Sequence, residues 1–351
     1  MRLTLEETRK KIGHLDEKAM AAAQRRLDSL TKPKGSLGVL EDLVVRLAGI
    51  TGTALPEVKD KAVIVMAGDH GVTAEGVSAY PSSVTAQMVQ NFVNGGAAIN
   101  VLARHVGARV VVVDVGVASD LDSAGVICRK VRRGTGNIAT GPAMTREEAV
   151  IALEHGIEVA AQEIAKGVNL IATGDMGIGN TTPSSAILAA FSGFPVAKLI
   201  GRGTGIDDER LRLKVAAVAK ALKVNQPDPR DAFSVLHKVG GFEIAGLAGV
   251  ILSCAAHRVP VVIDGFISSA AALVAGKLEP KACDFMIASH LSEEPGHKYM
   301  LELLDLKPIL QMRMRLGEGT GAVLAMNLVE TACKLLREMA TFASAGVAEA
   351  P

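Results

Sequence analysis

NLIATGDMGIGNTTPSSA, residues 169–186, starts as a short apolar run, passes through a glycine-rich loop and then opens a helix. Four other runs follow the same pattern: AVIVMAG (62–68), RVVVVDVGV (109–117), PVVIDG (260–265) and CDFMIAS (283–289). Each ends in Gly, Val or Ser, and none alternates apolar with polar residues, so each reads as a strand buried on both faces. The stretches 81–104, 145–166 and 207–223 between them carry apolar residues at helical spacing. Strand–helix alternation of this kind predicts an α/β fold: a doubly wound, mostly parallel, Rossmann-like sheet with helices on both faces. Ligands in such sheets bind outside the carboxyl ends of the strands, where this sequence places its small polar residues.

Working outward, the first part of the chain reads as helical. Residues 5–30 are charged and alanine-rich, 37–48 carry a helical apolar stripe, and KPKGSLG breaks them apart. The expected organisation is an N-terminal helical region (1–60), a large α/β catalytic domain (61–335), and a helix end and tail (336–351). The first and last of these together form a small helical part. The tail ASAGVAEAP is expected to fray.

Composition narrows the class. Hydrophobic residues make up 49% and aromatics only 3%, with no Trp, so the core must be built from Ala, Val, Leu and Ile. With 38 basic against 37 acidic residues there is no excess charge to hold a nucleic-acid backbone. The four cysteines form no CxxC pair, which argues against a zinc site or a disulfide framework. The start, MRLTLEETRKK, has no apolar signal core. The apolar stretches 244–252 and 266–275 are too short and too rich in small residues to span a bilayer. The expectation is a cytoplasmic protein with no membrane partner.

Four loops could carry chemistry. In 173–186, Gly174, Gly177 and Gly179 let backbone approach a ligand, and a helix opening at Thr181 and Thr182 favours an anion. The same features also suit a purely structural turn, and no Walker sequence is present. In 201–214, Arg202 or Lys214 could neutralise a phosphate, or the segment is an Asp-capped helix with a solvated charged face. Asp207-Asp208 lacks the preceding strand that a metal–diphosphate site wants. In 67–81, Asp69 and His70 read better as a hydrogen-bonded pair shaping the loop than as a metal site, because no second His follows at ligand spacing. In 313–329, Glu318 sits between Gly317 and Gly319, with Met312, Met314 and Leu316 as apolar walls. It is either a general base of raised proton affinity or a helix cap.

Nine segments, including KPKGSLGVLE (32–41), GDHGVTAEGVSAYPSSVTAQM (68–88), GDMGIGNTTPSSA (174–186), DGFISSAAAL (264–273), SHLSEEPGH (289–297) and RLGEGTGAVLAM (315–326), resemble the nicotinate-nucleotide–dimethylbenzimidazole phosphoribosyltransferase family, in family order from about residue 32 to 335. The resemblance implies transfer of the phosphoribosyl group of nicotinate mononucleotide to 5,6-dimethylbenzimidazole, in assembly of the cobalamin lower ligand. It implies a homodimer. The lack of ligand-spaced His, Cys or acid clusters, together with the good leaving group of such a donor, leads to the expectation of no cofactor and no metal. The resemblance makes Glu318 the general base. It places the donor at Gly174, Gly177, Gly179, Asn180, Thr181, Gly203, Lys214 and Ser292, and the acceptor base near Tyr80, Met88 and Leu316. Where family members often carry Glu, this chain has Asp175, an acid one methylene shorter, to which the resemblance gives a secondary role.

Overall fold

The computed structural model describes residues 3–121, 124–203 and 205–348. Thr204 of the Gly-Thr-Gly loop and the last three residues of the alanine-rich tail lie outside these. Six parallel strands form one sheet: β1 (Lys61–Gly68), β2 (Ala108–Gly116), β3 (Val126–Cys128), β4 (Leu170–Met176), β5 (Val261–Ile263) and β6 (Met286–Ala288). Their order is β3-β2-β1-β4-β5-β6, the doubly wound arrangement whose direction of winding reverses between β1 and β4. Every residue of β1 and β4 is buried, as expected for strands covered by helices on both faces.

The helices depart from the sequence reading in places, each for a local reason. Residues 81–104 form two helices, Ser83–Val93 and Ala98–Val106, because Gly95 takes a left-handed conformation (φ +76°) between them. Residues 5–30 likewise divide into Leu5–Lys11 and Glu17–Ser29, the second started by Asp16, whose carboxylate accepts the Ala19 N–H. In 283–289 only Met286–Ala288 is strand; the preceding residues belong to a 3-10 turn, Pro280–Phe285. The edge strand β3 is an addition to the reading.

The near-absence of large aromatics has a visible use. The helices Arg146–Ala165 and Phe242–Ala256 pack backbone to backbone on one face of the sheet. A methyl at Gly156 would stand 1.8 Å from the Gly246 carbonyl oxygen, and one at Gly249 would stand 1.9 Å from that of Leu153. Phe242 to Ala255 are all buried, so this helix is a core element and not an amphipathic one. On the opposite face, Thr320–Glu338 packs with the helices Val39–Thr51 and Ala98–Val106. No helix among the described residues is long and apolar enough to cross a membrane.

Candidate active site

The reversal between β1 and β4 sets the place of the site. At the carboxyl end of β4 a cleft of about 600 Å³ opens, lined by Tyr80, Val84, Met88, Asp175, Met176, Gly177, Ile178, Asn180, Arg315, Leu316 and Glu318. Most of its wall is apolar, and its polar groups are few and convergent, as in small-molecule sites. Tyr80, Met88, Leu316, Asp175, Asn180 and Glu318, which lie far apart in sequence, all meet here. Of the expected methionine walls, Met312 and Met314 are not among the lining residues; Met312 points out, 52% exposed. Met176, Ile178 and Val84 take their place, because they flank the loop and helix that face the cleft directly.

Glu318 stands in an unusual turn. Gly317, Glu318 and Gly319 are all left-handed, at φ +84°, +63° and +90°. For a residue with a side chain this costs on the order of 1–3 kcal/mol, and such strain collects at functional sites. Glu318 does not cap the helix Thr320–Glu338 that follows. That task falls to Asp264, at the end of β5, whose Oδ2 accepts the Gly319 N–H (3.1 Å) and whose Oδ1 accepts the Ala322 N–H (2.9 Å). The Glu318 carboxyl is 6% exposed, and its Oε2 has no hydrogen-bond partner. Burial raises its proton affinity above that of an ordinary glutamate; the Ile99 backbone opposes this and the Asp264 charge adds to it. The site thus offers a buried, underused carboxylate beside an apolar slot.

Asp175 lies under the same turn: a methyl on Gly317 would come 3.2 Å from its Oδ2. Its Oδ2 accepts the Asn180 amide N–H at 2.9 Å. Burial pushes its carboxyl well above the usual range, Asp264 reinforces this, Asn180 opposes it, and Glu243 and Glu318 add to it. Gly174 does not line the cleft. Its missing side chain makes room for the Glu318 carbonyl oxygen, which would be 2.5 Å from a methyl there.

A second lobe adjoins the first through Gly177, Ile178 and Asn180. It is lined also by Ser78, Gly179, Thr181, Arg202, Gly203 and Lys214. The helix Thr181–Ser192 begins in this lobe with no side-chain cap, a favourable place for an anion. Lys214 is 1% exposed, which removes the solvated-face alternative. Its ammonium donates to Thr181 Oγ1 (2.7 Å) and the Gly201 carbonyl (3.1 Å). Burial lowers its pKa to about 8, against the pull of Glu294. Glu294 Oε1 in turn accepts the Gly203 N–H at 2.8 Å. Asp207 caps the helix bearing Lys214 by accepting the Arg210 N–H at 2.8 Å. Ser292 is buried nearby, its N–H donating to His297 Nδ1 (2.9 Å), but it lines neither lobe.

The expected Asp69–His70 pair is not present. His70 Nε2 instead lies 2.9 Å from Glu243 Oε1 in a fully buried ion pair, while Asp69 Oδ2 accepts the Ala118 N–H at 2.8 Å. Burial pulls His70 down, but the Glu243 charge and contact, with Asp69, raise it overall. Glu243 arrives from a distant helix and could not be paired with His70 by local sequence reading. Asp264 was also missed, although it ends an apolar strand as Asp175 does. Among the described residues, no group of three or more His, Cys, Asp or Glu could hold a metal ion.

Comparison with known proteins identifies the family. A family profile described as phosphoribosyltransferase matches residues 12–347. A nicotinate-nucleotide–dimethylbenzimidazole phosphoribosyltransferase of Chloroflexus aggregans is 60% identical over 346 residues, covering 98% of each chain. The protein of that name from Geobacter sulfurreducens is 59% identical, again over 98% of each chain. The crystal structure of CobT from Thermus thermophilus superposes with a TM-score of 0.92 at 50% identity, over 95% of this chain and 100% of that one. The chain belongs to the nicotinate-nucleotide–dimethylbenzimidazole phosphoribosyltransferase family.

Proposed function

We propose that the chain transfers the phosphoribosyl group of nicotinate mononucleotide to a ring nitrogen of 5,6-dimethylbenzimidazole, with Glu318 as the general base. The observation that carries this reading is the buried Glu318 carboxyl, its Oε2 without a hydrogen-bond partner, at an apolar cleft that adjoins an anion-favouring lobe. The apolar slot between Tyr80, Met88 and Leu316 suits a flat neutral heterocycle. The lobe around Thr181, Gly203 and Lys214 suits the 5′-phosphate.

The step balances without a further reactant. The benzimidazole nitrogen attacks C1′ of the ribose, and the bond from C1′ to the pyridinium nitrogen breaks. The bonding pair goes to the nicotinate ring, which leaves without needing a proton. The acceptor becomes cationic, and Glu318 takes the proton from its other ring nitrogen. Attack opposite the leaving group inverts C1′, so a β donor gives an α product. Holding both substrates in adjoining lobes supplies the orientation on which such a displacement depends. In this reading Asp175, which lines the cleft and is held toward its protonated form, has a secondary role toward the ribose.

The working form in this reading is a two-fold dimer in the cytoplasm, without cofactor. The dimer in this reading has apolar side chains to cover at the cleft mouth, where Tyr80 is 52% and Leu316 56% exposed. Light scattering that gives a monomer at working concentration would remove the dimer. The test of the reaction is product analysis with nicotinate mononucleotide and a mixture of bases. Release of nicotinate with the α-anomer of the benzimidazole ribotide is expected. Binding without nicotinate release, or a β product, would overturn the proposal.

A further inference from the structure

Glu318 is strained, and something must hold it there. The turn Gly317–Gly319 is left-handed throughout, a conformation that a free loop would relax. Three elements press on it. From β4, Gly174 lies against the Glu318 carbonyl. From the end of β6, the His290 ring fills the space beside Gly321, where a methyl would stand 2.0 Å from His290 Nδ1. From β5, Asp264 makes the directed bonds, one oxygen to the amide directly after Glu318 and the other to Ala322. Asp264 is itself fixed, since its own N–H donates to Thr173 Oγ1 at 3.2 Å.

We propose that Asp264 is a positioning residue for the reaction, acting through Glu318: its carboxylate pins the turn that presents the base to the acceptor. The inference rests on Glu318 being that base. Burial pushes the Asp264 carboxyl up, and the His290 charge with the amides of Ala322, Gly265 and Gly319 opposes this. Both oxygens accept amide N–H groups, so the ionised form is the one that fits the turn. His290 Nδ1 lies 3.8 Å from Oδ1. The titratable and charged groups around the turn are thus Asp264 from β5, Asp175 from β4, His290 after β6, Glu243 behind Asp175, and Arg315 beside the cleft. Among these, the Asp264 charge bears on the carboxyls of both Asp175 and Glu318, raising each. Asp264 therefore holds the position of Glu318 and adds to the proton affinity that burial gives it.

The two effects separate by substitution. Asp264→Asn keeps the shape, loses the charge and can accept only one of the two amides well. It should lower kcat by roughly 10–10²-fold, the scale of a small misplacement of a reacting group. Donor KM should stay within about threefold. The acidic limb of kcat/KM for the acceptor should move to lower pH, a change that mere loosening of the fold would not make. Asp264→Glu keeps the charge but alters the reach; it should lower kcat with the acidic limb unmoved. Glu318→Gln and the double variant Asp264→Asn/Glu318→Gln complete the set, and the double should be no slower than Glu318→Gln alone. Thermal melts with donor binding check the fold of each.

An Asp264→Asn enzyme with unchanged kcat and limb, or additive losses in the double variant, would overturn this inference while leaving Glu318 as the base. If Asp264→Asn does not fold, an Asp264→Glu enzyme with parental kcat would overturn it. A Glu318→Gln enzyme with near-parental turnover would instead remove the base itself, and a loss confined to Asp264→Asn would then show Asp264 acting elsewhere.

Discussion

A methyl group on Gly174 would stand 2.5 Å from the carbonyl oxygen of Glu318, so β4 and the turn that carries the proposed base touch backbone to backbone. No side chain fits there without moving one of the two. Gly174→Ala should displace the turn, and a shift of about 1 Å at a reacting group can cost on the order of 10²-fold in rate. Overpacking of this kind also destabilises by about 1–3 kcal/mol. Steady-state kinetics and denaturant melts on the same preparation would show both effects; a fully active, fully stable variant would mean that the turn yields freely.

Glu318→Gln keeps the size of the side chain but cannot take the acceptor proton. Turnover should fall roughly 10²–10⁴-fold, with donor KM little changed because the anion lobe lies elsewhere. Glu318 must be ionised to act, and its proton affinity is raised. Parental activity should therefore fade, as pH drops, before an ordinary glutamate would lose its charge. A pH profile that stays flat down to the ordinary glutamate range would contradict this.

Much of this arrangement was legible in the sequence, for a physical reason. Strands buried on both faces appear as continuous apolar runs, which is why β1, β2 and β4 could be placed. β3 could not, because Val126–Cys128 is three residues long and only half-covered at the sheet edge. The glycine-rich loops marked the site. What supports the site was not legible: Asp264 reaches Gly319 and Ala322 across 55 and 58 residues, and Glu243 reaches His70 from another helix. Such partners are decided by the sheet order, which no local pattern records. The same limit left the choice between base and helix cap open for Glu318.

Lys214 should hold the donor phosphate. Lys214→Ala removes a charge-assisted contact of about 1.5–3 kcal/mol, so donor KM should rise far more than acceptor KM. Its pKa is lowered to about 8 by burial. The free enzyme therefore keeps the charge below that value and loses it as pH rises through it. Donor KM should be level at neutral pH and climb above about pH 8 in the parent, and this climb should vanish in Lys214→Ala. Equal effects on both substrates would place Lys214 outside the phosphate lobe.

Asp175 should be a stability liability. Its folded carboxyl binds a proton more tightly than in the unfolded chain. Stability from this group is therefore fullest below the unfolded value and falls as pH rises toward the folded one. Asp175→Asn removes that penalty while keeping an acceptor for the Asn180 amide. At neutral pH it should stabilise by about 0.5–2 kcal/mol at some loss of activity, and the gain should disappear in acid. Denaturant melts across pH would test this; a destabilised variant at neutral pH would refute it.

Chelation should leave activity intact. The leaving nicotinate needs no Lewis acid, and no described cluster has the ligands for one. Loss of turnover in EDTA, restored by Mg²⁺, would overturn this and return attention to Asp207 and Asp208.

The helix Phe242–Ala256, buried from Phe242 to Ala255, has a consequence for how the chain is made. Its main covering partner, Arg146–Ala165, and the strands β1, β2 and β4 precede it in sequence, while Phe266–Leu278, which packs on it next most closely, follows. Emerging from the ribosome, this most apolar segment meets one side of its cover already made and waits only for the helix that comes directly after it. The segments bearing Asp264 and Glu318 emerge only afterwards. A released fragment ending at Ala256 should therefore resist protease in its first half while lacking both carboxylates, and it would be a compact body that has yet to acquire its chemistry. Rapid digestion of that fragment would show that the order of synthesis gives no such shelter.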